Sequence, residues 1–210
     1  ESQLPTGKGM AASTADIVAV IQAVATAIDE ELEPEEISEI AAGIEPTDGI
    51  FYPGIVQMNY MTGELIKSYG NAPKMIIAMF DMGGSINTVE FHSEYHGHED
   101  SPKELLEAID KLDVDFSPRQ IAHVATLSAL ANQKLVPKPH LEEIIKYSAT
   151  LGALGVNVAH SGTMVGVLFA PDESMKHVME AVEKIREKFP ELEYFETERL
   201  ISGGYDIEQR

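Results

Sequence analysis

The first part of the chain carries apolar residues at a helical spacing. They recur three or four positions apart, at Ile17, Val20, Ile21, Val24, Ile28 and Leu32. Because this period lays side chains on one stripe, it predicts a helix over residues 16–32. A second, short helix is predicted over residues 34–42, since Pro34 suits a first helical turn and Gly43 is placed to end the helix.

The central part of the chain has the pattern of short strands. Residues 55–60 and 64–69 are predicted to form a hairpin around a Met-Thr-Gly turn. Residues 74–80 are a continuous apolar run, which is typical of a buried strand. An Asn-Ala-Pro segment precedes this run, so we predict one domain over residues 1–73 and a second over residues 74–210.

The second half of the chain alternates helical and strand patterns. Helices are predicted to start at Ser101-Pro102 and Ser117-Pro118, with serine at the cap and proline in the first turn. Further helices are predicted over residues 138–151 and 172–189, and strands over residues 156–159, 164–170 and 193–201. A strand pair followed by a helix and a strand favours an α+β fold, with helices on one face of an antiparallel sheet.

Composition narrows the classes of function. The 210 residues carry a formal net charge of −20, which excludes a nucleic-acid backbone or an anionic membrane surface as the expected partner. The absence of cysteine excludes disulfides and thiolate metal sites. No apolar stretch approaches the length of a bilayer span, and no export signal opens the chain. We therefore expect a soluble protein of the cytoplasm.

The densest chemical signal is a run of small residues over positions 5–16 that leads directly into the first predicted helix. Small side chains let backbone N–H groups approach an anion closely, and a helix N-terminus favours phosphate. Lys8 adds a point charge. The Walker pattern does not fit, because Gly9 follows Lys8 and the upstream glycine is missing. From these residues alone, a plain glycine-rich cap on a core helix is an equal alternative.

The order of residues in this run resembles the second, phosphate-binding motif of the GHMP kinases, commonly written P-x-x-x-G-L-G-S-S-A. The particular order of residues is most similar to that of the L-threonine kinase branch, whose members make O-phospho-L-threonine for the synthesis of cobalamin. The resemblance implies that the loop wraps the phosphates of ATP. It assigns ATP binding to Gly7, Lys8, Gly9, Met10, Ala11, Ala12, Ser13 and Thr14.

One departure from the motif concerns the metal. Where most members have two serines, this chain has Ala12-Ser13. In several relatives the first serine helps to hold Mg²⁺. Either Ser13, Thr14 or a carboxylate takes that part here, or metal binding is weaker.

A second segment, Glu45-Pro46-Thr47-Asp48-Gly49, resembles the part of the family that supplies an aspartate near the transferred phosphate. Phosphoryl transfer needs positioning, neutralisation of charge and a group that orients the attacking hydroxyl. The resemblance makes Asp48 that base or orienting group, Lys8 a second catalytic residue and Glu45 a metal-side carboxylate. The alternative is an ordinary Asx-type turn.

A third segment, residues 159–166, resembles the glycine-rich hairpin that packs against the phosphate loop in this family. It assigns further nucleotide contacts to Ser161, Gly162 and Thr163. The segment is also expected to be a plain β-hairpin turn. Two other small-residue loops, Asp81-Met82-Gly83-Gly84 and residues 202–205, are given no chemical role.

Three histidines, His92, His96 and His98, stand beside acidic residues and look like a metal cluster. Their spacing matches no zinc template, and the segment has the composition of a loop. We therefore favour a solvated loop over a metal site.

The resemblance implies a two-lobed, GHMP-kinase-like α+β fold. Residues 1–73 would be the remaining part of the N-terminal ATP-binding domain, and residues 74–210 the C-terminal domain. Because the chain starts at Glu1 with a loop that leads into a helix, we interpret it as a fragment, a processed product or one part of a split polypeptide that lacks the N-terminal strands.

The implied activity is phosphorylation of a small amino-acid substrate, L-threonine, with ATP and Mg²⁺. Homoserine or a mevalonate-type alcohol is the alternative acceptor, and a non-catalytic nucleotide-binding scaffold is the alternative function. A second copy of the chain, or a complementing N-terminal chain, is the protein partner to consider.

Overall fold

The computed structural model describes residues 4–84 and 101–205. They divide into two compact units. In the described part of the chain, the first unit contains residues 4–6, 11–72 and 201–205, and the second contains residues 7–10 and 73–200. The change of unit after Ala72 lies beside the predicted boundary between residues 73 and 74. Two short segments differ from the prediction: residues 7–10 belong to the second unit, and residues 201–205 belong to the first.

The first unit begins with two helices, α1 (Ala12–Ala27) and α2 (Pro34–Ala42). Helix α1 ends earlier than predicted because Asp29 adopts a left-handed conformation, with φ of 60°. The N–H of Glu30 then reaches back to the carbonyl of Ala25 at 2.9 Å, which closes the helix end. Helix α2 has the predicted bounds.

The buried face of α1 differs from the predicted stripe. Val18 is 5% exposed, whereas Val20, Val24 and Ile28 are 63%, 55% and 64% exposed. The helix buries the face defined by Thr14, Val18, Gln22 and Ala25. Alanines lie on most sides of α1, so the apolar period alone did not determine which side packs inward.

The same unit contains a two-stranded antiparallel sheet, β1 (Ile55–Met58) and β2 (Leu65–Gly70). This is the hairpin predicted from the sequence. Its core is small and is formed by Val18, Ile37, Phe51 and Tyr52. Helices α1 and α2 thus share one small core with the segment that precedes β1.

The second unit is built on a four-stranded antiparallel sheet with the order β4-β5-β3-β6. Its strands are β3 (Ile76–Asp81), β4 (Gly155–Val158), β5 (Met164–Phe169) and β6 (Glu193–Arg199). All six residues of β5 are buried. Each strand overlaps a predicted one, and the α+β expectation is confirmed.

Four helices accompany this sheet in the described part of the chain: α3 (Lys103–Asp110), α4 (Pro118–Asn132), α5 (Leu141–Thr150) and α6 (Met175–Lys188). Ser117 caps α4, since its hydroxyl accepts the N–H of Gln120 at 3.2 Å. Ser174 caps α6 in the same way. The predicted start at Ser117-Pro118 is therefore confirmed. The prediction of serine at the cap is wrong for α3, whose N-cap residue is Pro102 and not Ser101.

The main core lies between the sheet and helices α5 and α6. Phe80, Val167 and Phe169 of the strands pack with Ile144 and Ile185 of these helices.

Helix α4 covers the open edge of the sheet at β4. The N–H of Val156 donates to the hydroxyl of Thr126 at 2.9 Å. A Cβ on Gly155 would lie 2.4 Å from the carbonyl oxygen of Ala122, so helix and strand are in close contact. This contact protects an edge strand that would otherwise expose unpaired backbone groups.

No helix within the described ranges 4–84 and 101–205 combines the length and apolar character needed to cross a bilayer.

Candidate active site

The second unit holds the glycine loop, residues 7–10, against the turn formed by residues 160–163. The carbonyl oxygen of Lys8 accepts the N–H of Thr163 at 3.1 Å and the N–H of Met164 at 3.4 Å. These hydrogen bonds tie the glycine loop to the start of β5. Gly7 to Met10 and Ser161 to Thr163, assigned to nucleotide binding by resemblance, therefore lie in one unit.

Two glycines make this close packing possible. Gly9 has φ of +76°, and a Cβ at this position would lie 2.5 Å from the Cβ of Ala159. A Cβ on Gly162 would lie 2.1 Å from the carbonyl oxygen of Lys8 and 2.4 Å from the Cα of Gly9. The loop and the turn thus meet backbone against backbone, and neither contact leaves room for a side chain.

The turn is also anchored to helix α4. The side-chain amide of Asn132 donates to the carbonyl oxygen of His160 at 3.1 Å. The hydroxyl of Ser128 and Nε2 of His160 are 3.0 Å apart. The glycine loop therefore packs on a turn that is itself fixed by a long helix.

Asp81, at the end of β3, binds the side chain of Lys8. The ammonium of Lys8 forms an ion pair with the carboxylate at 2.5 Å and donates to the carbonyl oxygen of Gly84 at 2.8 Å. The other carboxylate oxygen accepts the hydroxyl of Thr163 at 2.6 Å and the N–H of Gly83 at 3.0 Å. The sequence analysis assigns no role to Asp81. The signal that could have indicated one is the position of this aspartate, at the end of a buried strand and just before two glycines.

The surroundings of Asp81 favour its charged form. Burial on its own would raise the pKa of this carboxyl, but the hydrogen bonds from Lys8, Thr163 and Gly83 outweigh burial and lower the pKa below its usual value. Asp81 is therefore charged near neutral pH, and the side chains of Lys8 and Asp81 are 23% and 13% exposed.

The first unit holds the beginning of α1, which has no side-chain cap. The N-cap residue is Ala11, and the first turn contains no acidic residue. Helix α2, by contrast, begins with two glutamates, and the carboxylate of Glu36 accepts the N–H of Glu33 at 2.9 Å. Within the described part of the chain, the first N–H groups of α1 thus receive no hydrogen bond from their N-cap side chain and face no acid of their own first turn, which suits an anionic ligand.

Ala11 has a left-handed backbone, with φ of 55° and ψ of 30°. Such a conformation is typical of glycine and costs other residues free energy. The motif that this loop resembles has glycine at the same place. Ala11 therefore keeps the backbone shape of the motif without its glycine.

Thr14, in the first turn of α1, connects the predicted Asp48 segment to this helix. The buried hydroxyl of Thr14 accepts the N–H of Asp48 at 3.2 Å and lies 3.5 Å from the hydroxyl of Thr47. Asp48 itself is exposed. The structure thus brings two predicted site residues together within the first unit, through the backbone of one and the side chain of the other.

The predicted metal ligands Ser13 and Glu45 also belong to the first unit, as does Ala12. Among residues 4–84 and 101–205, no cluster of three or more acidic or histidine side chains could hold a metal ion. Mg²⁺ is commonly held by one or two carboxylates together with substrate phosphates, without a full protein cage. A hydroxyl and a carboxylate are oxygen donors and fit that chemistry. The histidines His92, His96 and His98 lie outside the described residues.

The sequence matches two family models, one described as GHMP kinases N terminal domain, over residues 1–51, and one described as GHMP kinases C terminal, over residues 105–188. Together with the loop and turn described above, these matches show the family. The chain belongs to the GHMP kinases.

Two curated relatives share a narrower description. The chain is 25% identical to an L-threonine kinase of Citrobacter freundii, over 99% of this chain and 74% of that protein. It is 26% identical to an L-threonine kinase of Salmonella typhimurium, over 80% of this chain and 57% of that protein. The chain therefore spans about three quarters of the first relative and less than two thirds of the second.

Solved structures agree on the fold. A mevalonate kinase of L. major in complex with R-mevalonate superposes with a TM-score of 0.63 at 17% identity, over 93% of this chain and 66% of that chain. At this level of identity the likeness concerns the fold alone.

Proposed function

We propose that this protein is an ATP-dependent small-molecule kinase that transfers the γ-phosphoryl group of ATP to the side-chain hydroxyl of L-threonine. The products are ADP and O-phospho-L-threonine, and the hydroxyl proton is released. The observation that carries the proposal is the glycine loop, whose Lys8 carbonyl is bound by the amides of Thr163 and Met164 at the start of β5. The loop presents backbone rather than side chains, as phosphate binding requires.

The nucleotide is assigned to residues 7–14 and to Ser161, Gly162 and Thr163. Small side chains along the loop leave its N–H groups accessible to phosphate oxygens. The uncapped start of α1 supports the same assignment, since the first turn of that helix contains no competing acid. Lys8 contributes the positive charge.

Asp48 is assigned to the acceptor hydroxyl. Its N–H donates to the hydroxyl of Thr14, which fixes the backbone at this position, and the residue is exposed to solvent. A carboxylate in this position orients the hydroxyl and accepts its proton as the phosphoryl group transfers.

Ser13 and Glu45 are the residues that would hold Mg²⁺. When bound, Mg²⁺ supplies charge neutralisation on the phosphates. Ala12 offers no hydroxyl, so the protein contribution to metal binding falls on these two oxygen donors.

L-threonine is proposed as the acceptor because both curated relatives carry that description. Homoserine or a mevalonate-type alcohol is the alternative on the same fold. The experiment is an ADP-release assay with these three acceptors, followed by identification of the product by phosphorus NMR. Phosphothreonine as the main product supports the proposal, and turnover with homoserine or mevalonate but not threonine contradicts it.

Asp48→Asn supplies the site-specific control in this assay. It keeps the backbone N–H that Thr14 accepts and removes only the carboxylate charge. We expect kcat to fall by about 100-fold or more with a smaller change in KM for ATP. Unchanged turnover would remove Asp48 from the reaction.

A non-catalytic nucleotide-binding scaffold is the second candidate, and Ala12 is the observation that favours it. This reading expects binding of ATP with no turnover on any acceptor. The Ala12→Ser variant distinguishes a kinase with weak metal binding from a scaffold without catalysis. The restored hydroxyl should raise turnover if the protein is a kinase and should have no effect on turnover if it is a scaffold.

A further inference from the structure

We propose that Asp81 is a positioning residue that holds Lys8 ready for the phosphates of the nucleotide. The inference rests on the proposed nucleotide site and adds to it a residue that no motif assigns. It concerns contacts within the second unit only, between the glycine loop, the end of β3 and the 160–163 turn.

The ammonium of Lys8 has three N–H donors. In the structure, one is directed to the carboxylate of Asp81 and one to the carbonyl oxygen of Gly84. These two acceptors together determine the orientation of the group, so the third donor has a defined direction. A lysine side chain without such partners has many rotamers, and a ligand must then restrict them at an entropic cost.

The carboxylate of Asp81 is itself held in place. Its second oxygen accepts the hydroxyl of Thr163 and the N–H of Gly83. Thr163 also contacts the glycine loop, because its N–H donates to the carbonyl of Lys8. Asp81 therefore connects the side chain of Lys8 to the same turn that binds the backbone of Lys8.

The glycine loop is also held by contacts other than this ion pair. The loop is already fixed by the two backbone hydrogen bonds to Lys8 and by the contact between Gly9 and Gly162. The ion pair thus acts on the direction and charge of one side chain. Protein kinases use a lysine–glutamate pair for the same purpose, with the acid orienting the lysine toward phosphate oxygens.

The test is a double-mutant cycle with Asp81→Asn and Lys8→Met. Asparagine keeps an oxygen for Thr163 and Gly83 and replaces the oxygen that binds Lys8 with an NH2 group, which is uncharged and cannot accept from the ammonium. Binding of a non-hydrolysable ATP analogue is measured by calorimetry for the wild type, both single variants and the double variant. The unfolding midpoint without nucleotide is measured for all four proteins.

We expect each single variant to weaken nucleotide binding by about tenfold, the range of one hydrogen bond to a charged group. The double variant should bind no more weakly than Lys8→Met alone, because Asp81 acts through Lys8. Additive losses would mean a separate structural role, and tighter binding by Asp81→Asn would mean that Asp81 competes with phosphate. Either result overturns the proposal.

Asp115→Asn is the matched control, since this carboxylate also accepts a backbone N–H two residues on, from Ser117, in the same unit. It should leave nucleotide affinity unchanged. A wild type that fails to bind the analogue would overturn the proposed function together with this inference. A wild type that binds, with Asp81→Asn unaltered, would overturn the inference alone.

Discussion

Gly162→Ala tests whether contact between the glycine loop and the 160–163 turn is required. The added Cβ would lie 2.1 Å from the carbonyl oxygen of Lys8, whereas ordinary contact begins near 3.4 Å. The difference, 3.4 − 2.1 = 1.3 Å, is the distance that the backbone must retreat. Such a shift breaks the hydrogen bonds from Thr163 and Met164.

Overpacking of this kind costs about 1–3 kcal/mol. If the loop moves to relieve it, nucleotide affinity falls by roughly 5- to 150-fold, because each 1.4 kcal/mol corresponds to a factor of ten. The assay is calorimetric titration with a non-hydrolysable ATP analogue, with circular dichroism to show that the variant is folded.

Gly203→Ala is the matched control for this experiment. Among the residues that the structure describes, no heavy atom lies within 4 Å of a Cβ placed there, and the glycine does not have a positive φ. Its affinity should equal that of the wild type. If Gly162→Ala also binds with wild-type affinity while it remains folded, the loop does not need the turn and our reasoning about this contact is wrong.

Three further predictions concern stability and are checked by urea unfolding. Ala11→Gly should raise the free energy of unfolding by about 0.5–1 kcal/mol, because glycine adopts a positive φ without strain and only part of that gain is lost to backbone entropy. A lower free energy of unfolding would contradict the presence of strain at Ala11. Val18→Ala should lower the free energy of unfolding by about 1–3 kcal/mol because Val18 is buried, whereas Val24→Ala should change it by less than about 0.5 kcal/mol because Val24 is exposed. Equal effects would refute the assignment of the buried face of α1. Lys138→Met should stabilise at pH 7 by about 1–3 kcal/mol, since Lys138 is 3% exposed and its ammonium has no hydrogen-bond partner in the part of the chain that the structure describes. Burial lowers the pKa of Lys138 from 10.5 to about 8, so the folded wild type loses this proton at a lower pH than the unfolded chain and gains stability as the pH rises above 8. The stability advantage of Lys138→Met should therefore shrink between pH 8 and 10.5, and an advantage that stays constant over this range would contradict the prediction.

Much of the second unit could be predicted from local signals. Ser117-Pro118 marks a helix start on its own, because the cap and the fixed φ of proline act within one turn. The buried strands β3 and β5 are short apolar runs bounded by small or polar residues, and both were found. Signals of this kind depend on near neighbours and need no knowledge of the fold.

Features that depend on distant contacts could not be predicted in the same way. The inward side of α1 is set by the residues that pack on it, Phe51 and Tyr52 among them, and an alanine-rich helix offers several sides. The role of Asp81 depends on Lys8, which lies far away in sequence. The link between Thr14 and Asp48 joins two predicted residues through a hydrogen bond that neither motif specifies.

The most direct measurement is a crystal structure of the protein with a non-hydrolysable ATP analogue. We expect the phosphate chain at the backbone N–H groups of residues 7–14, with the ammonium of Lys8 directed to a phosphate oxygen and still bound to Asp81. A nucleotide bound elsewhere, with the glycine loop unchanged and free of phosphate, would contradict the account.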